Sequence, residues 1–351
     1  MRTCSLQPAG LSRRRALGRL LCGAAAAPAL LAMAGAPSAP LPPGWPARPL
    51  QLIVPWPAGG ATDLTLRLLC EEAEPLLGQR MVVVIGPGAA GTLVAPALKA
   101  AEPDGYTLGQ VPVTVYRHAL MNAVPSDPLR DLAPILQVSG TTFGVLVPAD
   151  SPFASLAEML AWAKGRPGRL SVGSTGIGTT AHLAMERVLL QRGVDYLHVP
   201  FKGTADQMLA IASGQVLVGV NSTGFAPWVT QGKVRLLAIF GAQRSALWPQ
   251  VPTLRELGFP VGVHSSPWGL AAPQGTPPAV LRRLHDVFRQ ALHTERHRAA
   301  LARYDQHLDY LDTESYRQAL VQTVVRVRAL LRRMRLLAQE GASWDRWTSV
   351  A

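Results

Sequence analysis

A recurring order of short apolar run, glycine-rich loop and helical stretch constrains the fold of this chain more than any other feature. The runs Leu50–Pro55, Met81–Ile85 and Leu170–Gly173 have the length and composition of buried strands. The first precedes a helical stretch at Asp63–Leu77, and the third precedes another at Thr179–Gln191. Because strands and helices alternate in this way around parallel sheets, the sequence predicts an α/β fold.

Three of the connecting loops have a composition suited to anions. The first loop is Pro55–Asp63, the second loop is Gly86–Thr92 and the third loop is Gly173–Thr180. Each joins a strand to a helix, so free N–H groups at a helix N-terminus face the loop and favour negative charge. Any one loop alone is equally well explained as a tight turn with an ordinary N-cap. Together they place several helix N-termini at the carboxyl ends of strands, where α/β sheets bind ligands.

The first 34 residues have the layout of a secretory signal peptide. A basic run at 13–15 precedes an apolar stretch at 20–31, and Ala-Met-Ala at 32–34 resembles a cleavage site. The basic run resembles a twin-arginine signal, and the Sec route stays open. We therefore expect a signal peptide over residues 1–34, a proline-rich connector over 35–49, and a mature protein in the periplasm.

Composition and charge argue against several kinds of function. The formal net charge is +12, but five arginines lie in the leader, and those near the C-terminus alternate with apolar residues as on an amphipathic helix. We therefore expect no nucleic-acid binding. His293 and His297 have no third ligand nearby, so the prediction is a solvated helix face with no metal and no cofactor. Cys70, the single thiol after the leader, is expected to be a small buried apolar residue.

A set of short motifs runs along nearly the whole mature chain. In order, they are Ile53-Val54-Pro55, Pro57-Ala58-Gly59-Gly60, Gly86-Pro87-Gly88-Ala89-Ala90-Gly91, Asp104-Gly105-Tyr106-Thr107-Leu108, Asp127-Pro128-Leu129-Arg130-Asp131, Gly173-Ser174-Thr175-Gly176, His198-Val199-Pro200-Phe201-Lys202-Gly203, Val251-Pro252-Thr253 and Trp268-Gly269-Leu270. Each motif is weak alone, but the ordered set resembles the tripartite tricarboxylate transporter receptors, also called TctC-like or Bug solute-binding proteins.

The resemblance implies a type II periplasmic-binding-protein fold. In this fold two α/β lobes are joined by hinge strands, and the ligand binds in the cleft between them. The first lobe would comprise residues 50–142 and 268–351, and the second lobe residues 143–267.

The resemblance also implies that backbone amides and hydroxyls of the glycine-rich loops hold a carboxylate. Asp63 is either a ligand contact or a helix cap, and both interpretations stay open. Two segments depart from the family pattern. Val218–Thr223 lacks the aspartate of many members, and Pro112–His118 differs from the usual small, hydroxyl-rich run. In the second segment, Arg117 or His118 could pair with a second carboxylate. The candidate ligand-binding residues are Ala58, Gly59, Gly60, Thr62, Asp63, Gly88, Ala89, Ser174, Thr175, Gly178, Thr179, Lys202, Gly203, Thr204 and Asn221.

These observations predict a periplasmic receptor without catalytic residues that captures a small mono-, di- or tricarboxylate. Its partners would be that ligand and the membrane subunits of a tripartite tricarboxylate-type transporter, and we expect a monomer. The main competing hypothesis is a ligand-sensing subunit of a signalling system. Two further hypotheses are an enzyme that uses Asp63 with a histidine of the second lobe, and a basic scaffold for acidic partners.

Overall fold

Two β-sheets of six and five strands organise the chain in the computed structural model. The model describes residues 40–122, 124, 126–201, 203–241, 243–259 and 266–337. The predicted signal peptide and Lys202 lie outside the described residues. The described part contains no helix that is both long enough and apolar enough to cross a membrane.

The first sheet has the strand order β11-β4-β10-β3-β1-β2. Its strands are β1 (Leu50–Val54), β2 (Met81–Ile85), β3 (Thr107–Pro112), β4 (Leu132–Thr141), β10 (Ser266–Pro273) and β11 (Gln306–Leu311). Strands β2, β1 and β3 are parallel, whereas β10 is antiparallel to both β3 and β4. The expectation of parallel strands is therefore wrong for three of the five strand pairs of this sheet, because β10 and β11 run opposite to the strands beside them.

The second sheet has the order β7-β6-β8-β5-β9. Its strands are β5 (Phe143–Pro148), β6 (Leu170–Ser174), β7 (Tyr196–Pro200), β8 (Val218–Ser222) and β9 (Val234–Ile239). Strands β7, β6 and β8 are parallel, and β5 is antiparallel to its neighbours. Thr142 alone separates β4 in the first sheet from β5 in the second. The chain therefore passes directly from one sheet to the other, as expected for a hinge strand.

Both faces of each sheet are apolar, which explains why helices cover both sides. In β1, Leu52 and Val54 belong to one buried cluster, whereas Ile53 between them packs against another. In β5, Val145 and Leu146 likewise belong to two different clusters. Successive side chains of a strand point to opposite faces, so each sheet has a core on both sides.

The helices fill the segments between these strands. They are α1 (Ala61–Leu77), α2 (Val94–Ala100), α3 (Thr114–Met121), α4 (Pro128–Asp131), α5 (Leu156–Lys164), α6 (Thr180–Arg192), α7 (Thr204–Ala212), α8 (Ala226–Thr230), α9 (Pro278–Leu292), α10 (Glu295–Arg303) and α11 (Thr313–Arg333). Two 3₁₀ turns lie at Ala89–Gly91 and Thr223–Phe225.

Some helix ends agree with the sequence predictions and others correct them. Helix α6 (Thr180–Arg192) lies within one residue of the predicted Thr179–Gln191 at each end, and Thr179 caps it by accepting the N–H of His182. Helix α1 begins at Ala61, two residues before its predicted start. Its N-cap residue is Gly60, so no side chain forms a capping hydrogen bond. His297 is fully buried in α10, whereas His293 ends α9, so the predicted solvated face with both histidines is wrong. Cys70 is 2% exposed, as predicted.

Candidate functional site

The first loop is held to the start of α1 by Asp63. One carboxylate oxygen, Oδ2, accepts the backbone N–H of Gly59 at 2.8 Å, and the other, Oδ1, lies 2.8 Å from Nε of Arg67. The carboxylate is buried, with 1% of the residue exposed, and Arg67 neutralises it. Asp63 therefore orders the loop by reaching back over the helix N-terminus, while Ala58, Gly59 and Gly60 remain exposed.

The N-terminus of α1 has free backbone N–H donors because no side chain caps it. Its N-cap Gly60 has no side chain to accept a hydrogen bond. The first backbone hydrogen bond of the helix runs from the N–H of Leu64 to the carbonyl of Gly60. The N–H groups of Ala61 and Thr62 belong to the turn that an α-helix leaves without internal partners. With the positive end of the helix dipole, this turn can bind a carboxylate.

The second loop has an unusual backbone conformation. Four successive residues, Gly88 to Gly91, have positive φ angles, and two of them, Ala89 (44°) and Ala90 (54°), are not glycines. Non-glycine residues rarely occupy this region, and such backbone is often associated with ligand contacts. Gly88 and Ala89 are exposed at this turn.

The first and second loops meet at the end of β3. The indole N–H of Trp56 donates to the side-chain oxygen of Gln110 at 2.8 Å, and Trp56 also lies against Gly91. Thr114, the first residue of α3, donates its hydroxyl to the carbonyl of Ala90 at 2.8 Å. Gln110 is fully buried, and its amide nitrogen has no hydrogen-bond partner among the described residues. The sequence did not single out Gln110, because an isolated glutamine in a strand gives no signal.

The third loop uses most of its polar groups internally. The hydroxyls of Ser174 and Thr179 both donate to the carbonyl of Gly176, at 3.0 and 2.8 Å. The N–H of Gly178 donates to Nδ1 of His182 at 3.0 Å. These bonds rigidify the loop and use the hydroxyl protons of Ser174 and Thr179, whose assignment as ligand contacts remains a prediction.

Two stacked histidines support the third loop. The rings of His182 and His198 lie 3.8 Å apart between centroids with 7° between their planes. Nε2 of His198 lies 2.7 Å from the hydroxyl of Ser174. Burial, and to a lesser degree the charge of His198, lowers the pKa of His182 from 6.5 to about 4, and burial also lowers the pKa of His198. Both rings are therefore neutral at pH 7. Nothing in the local sequence indicates this stack, because the two histidines lie on different elements, α6 and β7.

A buried amide network lies behind the third loop in the second sheet. Gln207 donates its side-chain N–H to the carbonyls of Gly173 and Val220, both at 2.9 Å. Its side-chain oxygen accepts from Asn221, which is 1% exposed. The carboxamide of Asn221 thus stabilises the loop from behind, and its assignment as a ligand contact remains a prediction.

The remaining second-lobe candidates lie at the start of α7. Helix α7 begins at Thr204, and its N-cap residue is Gly203. As at Gly60 of α1, no side chain accepts a hydrogen bond from the first turn of the helix. Thr204 also lies against Gly224, beyond the end of β8. Thr175 of the third loop is partly exposed.

Arg117 connects the loops of the first sheet to those of the second. It lies in α3, is 4% exposed, and donates from Nη1 to the carbonyl of Gly178 at 3.2 Å. Its Nη2 donates to the hydroxyl of Thr180, and that hydroxyl donates to Ser266 at 3.0 Å. Burial lowers the pKa of Arg117 to about 9, so its side chain is still charged at pH 7. The candidate residues therefore form two groups, one on each sheet, and α3 joins them.

Comparison with known proteins identifies the family. The sequence profile of the tripartite tricarboxylate transporter family receptor, TctC, matches residues 65–336. A protein of Cupriavidus necator, called UPF0065 protein in gbd 5′ region, is 40% identical over 326 residues, which is 93% of this chain and 99% of that protein.

Solved structures of similar proteins share the fold. The periplasmic binding protein BugD is 27% identical, with a TM-score of 0.73 over 84% of this chain and 100% of its own. MatC of Rhodopseudomonas palustris with bound malate is 28% identical, with a TM-score of 0.71 over 82% and 100%. Rpa4515 of R. palustris with adipate is 25% identical, with a TM-score of 0.74 over 82% and 97%.

These similarities, together with the two sheets joined by β4 and β5, confirm the predicted two-lobed periplasmic-binding-protein fold. Members of this family are solute-binding receptors, which are not a class of enzymes. The chain belongs to the TctC family of tripartite tricarboxylate transporter receptors.

Proposed function

We propose that this protein is a periplasmic receptor that binds a small carboxylate and delivers it to the membrane subunits of a tripartite tricarboxylate-type transporter. The observation that carries the proposal is the uncapped N-terminus of α1, which the exposed Gly59 and Gly60 of the first loop precede. The second loop contacts the first through Gly91 and Trp56. Such a site binds a carboxylate through backbone N–H groups and the helix dipole. MatC and Rpa4515, which share the fold, hold malate and adipate.

The proposal includes export and closure. A signal peptide over residues 1–34 would direct the chain to the periplasm. Residues 50–142 with 268–351 would form one lobe and residues 143–267 the other, and the two would close by bending where β4 continues into β5. A ligand that contacts both lobes stabilises the closed state because only that state offers both sets of contacts.

The test is a thermal-shift screen of residues 35–351 against mono-, di- and tricarboxylates and amino acids. A ligand at 100 times its Kd adds about 2.7 kcal/mol to the free energy of unfolding, which is readily seen. The matched variant is Gly60→Leu. The φ of Gly60 is −72°, and a Cβ there would lie no closer than 3.4 Å to the carbonyl oxygen of Pro57, so the fold tolerates a side chain.

We expect a saturable shift in the wild type and its loss in Gly60→Leu, because the new side chain blocks approach to the helix amides. Gly165→Leu, at the exposed C-cap of α5, serves as the control and should respond like the wild type. No response of the ligand-free wild type to any carboxylate would refute the proposed function.

A further inference from the structure

A buried hydrogen bond joins the two sheets beside the strand that connects them. The hydroxyl of Ser245, in the segment after β9 of the second sheet, donates to Oδ1 of Asp305 at 2.8 Å. Asp305 lies in the turn between α10 and β11 of the first sheet. Ser245 is 3% exposed and Asp305 is 6% exposed. The two residues are 60 positions apart in the chain, so the arrangement of the sheets brings them together.

Each side of this hydrogen bond is anchored in its own sheet. On the second sheet, the turn that contains the serine continues into Trp248, which belongs to a buried apolar cluster of that sheet. On the first sheet, Gln306 follows the aspartate and pairs with Thr141 of β4, next to Thr142, where the chain passes between the sheets. A relative movement of the sheets that separates the two oxygens by about 0.7 Å or more therefore breaks the bond, because O–H···O bonds do not extend beyond about 3.5 Å.

The carboxylate of Asp305 is only partly compensated in this arrangement. Its other oxygen, Oδ2, is buried without a hydrogen-bond partner in the described part of the chain, where no arginine or lysine forms an ion pair with it either. Asp63, which is also buried, is paired with Arg67. Burial raises the pKa of Asp305, although the hydrogen bond from Ser245 and the charge of His307 lower it. Burying this carboxylate therefore costs free energy that the hydrogen bond offsets only in part.

The turn that carries Asp305 also contacts the helix that begins at the proposed carboxylate site. The side-chain oxygen of Gln306 lies 3.1 Å from the hydroxyl of Thr65. Thr65 is fully buried in the second turn of α1, two residues after Asp63. The turn between α10 and β11 therefore touches both the helix of the first loop and the second sheet.

We propose that the Ser245–Asp305 pair is a conformational switch that sets the angle between the two sheets. The hydrogen bond favours the arrangement described above. The buried carboxylate favours an arrangement in which the two segments separate and water reaches Oδ2. These opposing effects keep the two arrangements close in free energy, so a molecule that binds one of them better shifts the population toward it.

The switch has a consequence for ligand binding. Because a ligand that bridges the lobes holds one angle, the fraction of the protein already at that angle sets the apparent affinity. This consequence rests on the proposed function, whereas the switch itself is a property of the chain without ligand.

The test measures the distance between the two sheets in residues 35–351 without ligand. Nitroxide labels are attached through Gln290→Cys, exposed on α9 over the first sheet, and Lys164→Cys, exposed on α5 over the second sheet. Cys70 is buried and does not compete for the label. Double electron–electron resonance then gives the distribution of label-to-label distances, in which a change of sheet angle appears as a shift or a second peak.

The two variants of the pair should change this distribution in opposite directions. Ser245→Ala leaves the carboxylate buried without its donor, so the ratio of the described arrangement to the separated one should fall at least about 10-fold, the effect of losing a hydrogen bond to a charged group. Asp305→Asn keeps an acceptor oxygen and removes the charge, so this ratio should rise above that of the wild type. Asparagine also tolerates the positive φ of 50° at this position.

Ser155→Ala and Asp312→Asn are the matched controls, because each changes a helix cap that accepts a hydrogen bond from its own helix. Both should keep the wild-type distribution. The same distribution in the wild type and both pair variants, or a shift of both variants in one direction, would overturn the switch. If Ser245→Ala does not fold, the double variant Ser245→Ala/Asp305→Asn replaces it, and a distribution equal to that of Asp305→Asn overturns the switch. The thermal-shift screen decides the proposed function separately, since these distances are measured without ligand.

Discussion

The buried neutral His182 should make the stability of this protein depend on pH between 4 and 6.5. Its pKa is lowered from 6.5 to about 4 by burial and then by the charge of His198. In that range the unfolded chain binds a proton that the folded chain does not, so the folded state loses stability as the pH falls. Above pH 6.5 both states are neutral at this site, and the effect vanishes.

The magnitude follows from the two pKa values. Lowering the pH from 7 to 5 should cost about 2 kcal/mol of the free energy of unfolding from this one group. Protonation of Nδ1 would also remove the acceptor for the N–H of Gly178, so the third loop should loosen in the same range.

The assay is urea unfolding at pH 7 and pH 5, followed by tryptophan fluorescence. His182→Asn removes the titrating group and keeps an acceptor near the position of Nδ1, so the variant should lose about 2 kcal/mol less than the wild type on acidification. His293→Asn, which changes an exposed histidine at the end of α9, is the control and should behave as the wild type does. An equal pH-dependent loss in the wild type and His182→Asn would refute the reasoning.

Three further results are expected from other parts of the chain. The thiol of Cys70, 2% exposed and with a pKa raised to about 12 by burial, should not react with a thiol reagent at pH 8 until urea unfolds the protein; rapid labelling of the folded form would contradict this. Gly219→Ala should lower the free energy of unfolding by about 1–3 kcal/mol, because the new Cβ would lie 2.0 Å from Cδ1 of Ile211. Gly165→Ala, which meets only a backbone oxygen at 3.8 Å, should change it by less than about 0.5 kcal/mol, and similar urea midpoints for the two variants would contradict the packing argument. Asp63→Ala should cost about 1–3 kcal/mol, since it removes the acceptor of a loop N–H, and an unchanged urea midpoint would show that this bond does not order the first loop.

Elements with strong local signals were predictable from the sequence. The limits of α9 follow from Pro278 at its first position and from its apolar periodicity. Ser155 and Thr179 cap α5 and α6, and a hydroxyl before an apolar periodic run is a signal that the local sequence provides. The glycine-rich loops were placed correctly between strands and helices for the same reason.

Strands whose identity depends on their neighbours were missed. Strand β4 contains Pro134, Ser139 and Gly140, and it is buried on both faces, so it shows no alternation of polar and apolar residues. Strand β11 has the mixed composition of an edge strand. The antiparallel direction of β10 depends on the path of the chain through the other sheet.

Local sequence was sufficient to specify the family, the alternation of strands and helices, and the loops suited to an anion, because glycines, caps and apolar periodicity act within a few residues. How the polar groups of these loops are used depends instead on the folded chain. Folding paired Asp63 with Arg67, stacked His182 on His198, and buried Arg117 beside the third loop without an acidic partner among the described residues. Burial and long-range contacts set the charge of each group, and the contacts of His198 and Arg117 join residues that lie 16 to 63 positions apart in the chain.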